Sequence, residues 1–376
     1  MRKFNYGVEF SIVLLKIPIN APIIEKDEIN EVHSVLTEQS LTSAGNAGGK
    51  RVQEFEQHLS SYVKAKYSVA VNSGTAALQA ALYALDLKQG DEVLIPSFTF
   101  VATANAILSV GAKPVFVDIR PENYTIDPID LKKKITKKTK VIMPVHLYGN
   151  FSYMDEISEI ADKHNLEIIE DACQSLGTSY KKKQSGTFSK MGCFSLYAAK
   201  VMTSGEGGAI VTNDKNLFEK LRKIRNHGML HGYDTRILGL NLRLPEMCAA
   251  IAKIQIKKLP KFLESRKKNA IILNELLSDL NVILPEERKD VNVNWYLYTI
   301  ATTNRNKLMK KLNALGIGAS AYYSLPVHKT PFYKKNLKLP LTEWAANSVL
   351  SLPVNPMVKE DDLHYISKVL HKLIKK

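Results

Sequence analysis

Tyr67-Ser68-Val69-Ala70-Val71-Asn72-Ser73-Gly74-Thr75-Ala76-Ala77 is the stretch on which the reading of the fold turns. It opens as an uncharged, β-rich run and passes through small residues into a helical pattern over 76–85. A strand apolar on both faces belongs inside a parallel sheet that helices cover on either side. The rhythm repeats outward from this point. Candidate strands at 92–95, 114–118, 140–145, 166–170, 193–196 and 209–212 alternate with helical patterns such as 100–110, 127–135 and 154–164. This βαβ succession predicts an α/β fold whose core is a doubly wound, mostly parallel sheet with its ligand crevice at the carboxyl ends of the strands.

Past Asn213 the pattern changes. Residues 219–280 read as mostly helix, followed by a strand over 295–301, a helix over 307–315, a strand over 319–323 and a final amphipathic helix from Glu360. These form a smaller C-terminal α+β domain. The expected division is an N-terminal extension over 1–16, a large domain over 17–244 and a small domain over 245–376.

Composition is that of a water-soluble protein, with 45% hydrophobic and 24% charged residues in a chain of 376. The net charge of +15 favours anionic partners, although lysines scattered as at Lys132–Lys134 and Lys181–Lys183 equally describe a solvated surface. No zinc-finger spacing or RNA-binding signature accompanies them, so no nucleic-acid partner is expected. Three cysteines, Cys173, Cys193 and Cys248, form no CxxC pair and suit a reducing cytoplasm. The apolar run from Phe10 to Leu15 is too short to span a bilayer, and no membrane partner is expected.

Three motifs carry chemistry. In the first, Ser73-Gly74-Thr75-Ala76, backbone N–H groups lie open at the start of a helix, where the helix dipole favours a phosphate. Taken alone, the junction is equally an N-capped helix with Ser73 or Thr75 as the cap. The second, Glu170-Asp171-Ala172-Cys173-Gln174, ends an apolar strand and directs a carboxylate into the crevice. Such a carboxylate holds a pyridine nitrogen protonated and so makes the ring an electron sink. Alone, Asp171 is equally the cap of a following helix. The third, Phe194-Ser195-Leu196-Tyr197-Ala198-Ala199-Lys200, is followed by Gly205-Glu206-Gly207-Gly208. A lysine after a buried strand is poised to become a desolvated nucleophile, against the reading of one more loop lysine. Phosphate nest, ring-nitrogen acid and Schiff-base lysine, in this order, are what a pyridoxal phosphate (PLP) site requires.

At these motifs the chain resembles the DegT-type sugar aminotransferases, a branch of the aspartate-aminotransferase-like PLP enzymes. The likeness also rests on residues 96–103, Pro144-Val145-His146-Leu147-Tyr148-Gly149 and Gly239-Leu240-Asn241-Leu242-Arg243, and spans nearly the whole sequence from about Ile17. The resemblance implies a sheet of the PLP-transferase type and a set of roles. Gly74, Thr75, Ala76 and Ser195 would bind the cofactor phosphate. Phe100 would stack on its ring, Asp171 would hold the ring nitrogen and Gln174 the ring oxygen, and Lys200 would form the Schiff base. Asn241 would reach the phosphate in a neighbouring subunit, which implies a homodimer with shared sites. Arg243, and His328 in Leu325-Pro326-Val327-His328, would lie near the substrate; Tyr296 stands where many relatives carry His. His146 is left to the strand-end network. The implied activity is transfer of an amino group from glutamate or glutamine to a nucleotide-linked keto sugar, in amino-sugar or surface-polysaccharide biosynthesis. A keto-inositol or other non-nucleotide keto sugar stays open as substrate. A PLP sugar dehydratase is opposed by the lysine at 200, since relatives that dehydrate without a Schiff base carry His there.

Overall fold

In the computed structural model, which describes residues 16–334 and 336–374, the run Tyr67–Val71 is strand β1, at the edge of a seven-stranded sheet. Chain order continues with β2 (Glu92–Pro96), β3 (Lys113–Val117), β4 (Thr139–Ile142) and β5 (Glu167–Asp171). A small hairpin of β6 (Ser179–Tyr180) and β7 (Lys183–Gln184) stands aside, and β8 (Met191–Ser195) and β9 (Gly208–Thr212) complete the sheet. The spatial order is β1-β9-β8-β5-β4-β2-β3, and every neighbouring pair is parallel except those of β9, which runs against both β1 and β8.

Both faces are covered, which is why the strands carry so few polar residues. On one face lie α3 (Gly74–Ala84), α4 (Val101–Ser109) and α7 (Lys215–Arg225), packed over Val69, Val71, Ile95, Ile169 and Ile210. Ala77, Ala80 and Ala81 bring α3 close to the sheet. The opposite face carries α2 (Lys50–Val63) and the long α8 (Glu246–Leu276), with α1 (Lys26–Thr37) outside them. Helices α5 (Pro128–Lys133) and α6 (Met154–His164) flank the β4–β5 side.

The C-terminal part contains β10 (Val291–Asn292), the antiparallel pair β11 (Tyr298–Ala301) and β12 (Val349–Leu352), and helices α9 (Arg305–Ala314), α10 (Pro340–Ser348) and α11 (Glu360–Leu373). Its core is continuous with the sheet, running from Leu94, Ile142 and Ile168 to Ile300, Leu350 and Ile366. Ile17 joins this part, exchanging backbone bonds with Gly316 (2.9 Å) and Gly318 (2.7 Å). The expected extension over 1–16 lies, save for Lys16, outside the described residues.

Three local expectations change. The strand expected from Trp295 begins only at Tyr298, because Trp295 adopts φ +51° and turns the chain. The strand expected over 319–323 reduces to a single bridge between Ser320 and Ser351, and β12 is the partner of β11 instead. The helical stretch over 219–280 is broken between α7 and α8 by a folded loop in which Gly228, at φ +72°, packs so closely that a Cβ there would stand 1.7 Å from the Ile237 carbonyl oxygen. Among the described residues no helix is long and apolar enough to cross a membrane.

Candidate active site

The three motifs converge because their backbones interlock at the carboxyl ends of β1, β5 and β8. A methyl on Gly74 would stand 2.8 Å from Ser195 Cβ and 3.1 Å from Cys173 Sγ. A methyl on Gly208 would stand 2.3 Å from the Ser73 carbonyl oxygen. Ser73 is the N-cap of α3, its Oγ accepting the Ala76 N–H at 3.1 Å. That cap leaves the N–H groups of Gly74 and Thr75 with no acceptor inside the helix, and they point out of its positive end. Thr75 is exposed, while Ala76 is buried beneath it. Capping and anion binding are therefore compatible here: Ser73 takes one donor and leaves its neighbours open.

The two acids of Glu170-Asp171 have separate tasks, as alternation along a strand dictates. Glu170 is wholly buried and accepts from the backbone N–H groups of Gly186 (2.7 Å), Phe188 (2.7 Å) and Ser189 (2.9 Å), from the Ser189 hydroxyl (2.9 Å) and from His146 Nε2 (3.0 Å). His146 Nδ1 accepts the Ser152 N–H at 3.1 Å, which fixes Nε2 as the donor to Glu170. This pair ties β5 to the loop before β8. Asp171 is also buried, with one donor at each oxygen: Cys173 N–H to Oδ1 (3.2 Å) and Thr103 Oγ1 to Oδ2 (2.8 Å). Thr103 is held in turn by Thr99, hydroxyl to hydroxyl at 2.9 Å. A carboxylate offers about four acceptor positions, so Asp171 retains capacity for another N–H. No helix follows Asp171, so it is not a helix cap. Burial pushes the neighbouring Cys173 thiol well above its usual range, and the charge of Asp171 adds to this.

Lys200 lies in the turn after β8, half-buried rather than loose among the surface lysines. Its Nζ stands 4.5 Å from the centre of the Tyr296 ring and 3.5 Å from the Tyr296 hydroxyl. Gln174 bridges the two parts of the chain: Oε1 accepts the Tyr148 N–H (3.0 Å) and Nε2 donates to the Tyr323 hydroxyl (3.2 Å). Burial, reinforced by Tyr296, raises the Tyr323 hydroxyl well above the ordinary phenol range. Phe100, the N-cap residue of α4, is no core filler: its ring is 54% exposed and lies 5.9 Å from that of Tyr323, leaving a free aromatic face.

The remaining residues named from the sequence lie farther out. Asn241 is exposed, and its backbone carbonyl accepts from Asn72 Nδ2 at 3.3 Å, beside the nest. It does not cap α8, whose N-cap is Pro245. Arg243 Nη1 donates to Asn226 Oδ1 (2.8 Å), whose amide holds the Ala44 carbonyl (2.8 Å) and the Asn46 side chain (3.0 Å). His328 has no exposed surface: Nδ1 meets Ser97 Oγ at 2.6 Å, and Nε2 faces Glu343 at 3.5 Å. The ring pins the Pro326–His328 segment beyond β2 as a strut. Sequence reading assigned no role to Thr103, Tyr323 or Glu170, nor any contact to Tyr296. The one available signal was a pair of hydroxyl residues, Thr99 and Thr103, on either side of a helix start.

With this geometry in view, residues 22–371 match the DegT/DnrJ/EryC1/StrS aminotransferase family. The chain is 39% identical over 327 residues to the pleiotropic regulatory protein of Geobacillus stearothermophilus, covering 85% of this chain and 88% of that protein. It is 38% identical over 317 residues to dTDP-3-amino-3,4,6-trideoxy-alpha-D-glucose transaminase of Streptomyces venezuelae, covering 82% and 83%. The X-ray crystal structure of S. venezuelae DesV in complex with a ketimine intermediate has a TM-score of 0.89 to this fold at 34% identity, over 93% of this chain and 94% of that one.

Proposed function

The chain belongs to the DegT/DnrJ/EryC1/StrS aminotransferase family, and on that premise we propose that it transfers an amino group from glutamate or glutamine to a nucleotide-linked keto sugar, using PLP. The observation that carries this reading is the meeting of an open helix N-terminus (Gly74, Thr75), a buried carboxylate with acceptor capacity to spare (Asp171), an exposed aromatic face (Phe100) and Lys200 at one set of strand ends. Their chemistry fits PLP group by group. The N–H groups of Gly74 and Thr75, with the Ser195 hydroxyl, would hold the phosphate, Asp171 the ring nitrogen, Phe100 the ring face and Gln174 the ring oxygen.

When bound, PLP supplies a protonated ring that withdraws electrons from the substrate carbon being deprotonated. Asp171 keeps the ring-nitrogen proton in place, and Thr103 and the Cys173 N–H orient its carboxylate. Lys200 Nζ removes the proton from the α-carbon of the amino-acid donor. In the second half of the cycle the same amine delivers a proton to the sugar carbon that receives nitrogen. The net charge of +15 suits a diphosphate-bearing substrate, and the dTDP-sugar transaminase relative acts on one. We place the reaction in the cytoplasm, in amino-sugar or polysaccharide synthesis, and the working unit as a homodimer in which Asn241 reaches the partner's phosphate.

The test is to incubate purified protein with glutamate and a set of nucleotide-linked keto sugars and to seek the amino product by mass. Protein with no absorbance near roughly 400–430 nm, the range of lysine-linked PLP, would refute the cofactor. Protein that has the band yet aminates only non-nucleotide ketones would refute the substrate class.

A further inference from the structure

The segment Asn294-Trp295-Tyr296 is held by more hydrogen bonds than a connecting loop needs. Trp295 sits at φ +51°, an outlying conformation for a bulky residue that persists only where the surroundings over-determine it. Asn294 is buried and spans the turn: Oδ1 accepts the Tyr296 N–H (2.9 Å), and Nδ2 donates to the carbonyls of Gln174 and Leu176 (both 3.0 Å). From behind, Arg266 of α8 donates from Nη1 to the carbonyls of Trp295 and Tyr296, both at 3.2 Å. Its guanidinium is 2% exposed, and among the described residues it has no carboxylate partner; its other acceptor is Asn20 Oδ1 at 3.5 Å. A buried cation without a counter-ion is costly. Burial brings this guanidinium down to about 10 from the ordinary value for arginine. Here the cation holds two successive main-chain carbonyls, and the second belongs to Tyr296, the residue whose ring faces Lys200 Nζ.

We propose that Arg266 and Tyr296 form a positioning device for Lys200, in which Arg266 fixes the turn and Tyr296 gives the free lysine ammonium a seat. The ring face and the hydroxyl oxygen of Tyr296 both favour the charged amine. The seat is occupied when Lys200 Nζ carries the proton taken from the donor, so the ammonium waits beside the substrate instead of swinging into solvent. This deepens the reading of Lys200 as the cofactor-bearing lysine and rests on it. Among the described residues, the titratable groups around this seat include Asp171 at the end of β5, Cys173 just beyond it, Tyr322 and Tyr323 beside Tyr296, and Arg266 itself.

The experiment is trace acetylation of the full-length protein with acetic anhydride across a pH series, read at the Lys200 peptide by mass, before and after incubation with excess amino-acid donor. Protection of Lys200 before donor and exposure after it supports the cofactor reading. Equal labelling in both states overturns that reading, and the midpoints still test the seat. Tyr296→Leu is expected to lower the Lys200 labelling midpoint by roughly half to one pH unit, and Tyr296→Phe, which keeps the ring, by less. Arg266→Met is expected to lower it in the native background and not to lower it further in the Tyr296→Leu background. Mere removal of a nearby positive charge has the opposite sign and raises it in both. An unchanged midpoint in Tyr296→Leu overturns the seat, and a rise or an equal fall with Arg266→Met in both backgrounds overturns the clamp. Arg266→Lys retains the charge but not the two-carbonyl fork, and serves if the Met variant does not fold.

Discussion

Asp171 and Lys200 differ in how far the sequence alone foretold their surroundings. Asp171 was legible because a carboxylate closing an apolar strand has few uses, yet its orientation depends on Thr103, which joins it only through the packing of α4 on the sheet. Asp171→Asn is expected to keep the fold and lose roughly a hundredfold or more in turnover, read as kcat on the purified variant with cofactor content measured in parallel. Thr103→Val removes only the orienting hydroxyl and should show a smaller loss in the same assay. Lys200→Ala should abolish turnover and the visible band, while PLP still binds through the nest; a variant that keeps full activity would end the mechanism. Phe100 was legible only by resemblance, since nothing in an isolated aromatic says whether it will be buried, and the structure leaves its face open. The burial of His328 was not legible for a related reason: whether a single histidine in a loop is buried is decided by neighbours such as Ser97, far away in the chain.

At the level of elements, the seven sheet strands were readable within a few residues because buried parallel strands carry their own signature, a short apolar run. The small strands β6, β7 and β10 were missed, being two residues each and defined by pairing alone. Joints between elements were the least legible. Gly149, at φ +91°, sits where a Cβ would lie 1.7 Å from Asn294 Oδ1. Gly149→Ala should cost roughly 1–3 kcal/mol of stability by urea unfolding, and should lower activity by shifting the Tyr296 turn. The His328 strut carries a pH signature. Burial lowers its imidazole below the ordinary 6.5, against an opposing pull from Glu343. The unfolded chain therefore takes up this proton first as pH falls. The stability this group contributes is complete above about pH 6.5 and is lost progressively below it. His328→Gln should flatten the decline of melting temperature over that acid limb; an unchanged slope would show that other groups set it.

For the molecule as a whole, the proposed two-fold assembly makes a prediction no single chain can meet. Lys200→Ala and Asn241→Ala proteins, each inactive alone, should regain activity when mixed under conditions of subunit exchange, since one site of the mixed dimer then collects neither lesion. Exchange shown by mass, with no return of activity, would place Asn241 in its own chain's site, where its carbonyl already meets Asn72. The reversed strand β9 bears on a different matter, the order in which the protein is made. Among the described residues β1 pairs in the sheet with β9 alone, and β9 also presses Gly208 against the Ser73 carbonyl at the start of α3. A ribosome working at about 5–20 residues per second therefore releases β1 several seconds before β9, about 140 residues later, exists. Through that interval the proposed phosphate nest has no wall, so a nascent chain is expected not to hold PLP until Thr212 has cleared the exit tunnel. Truncated chains stalled before and after that point, probed for PLP retention on the ribosome, should divide sharply at β9.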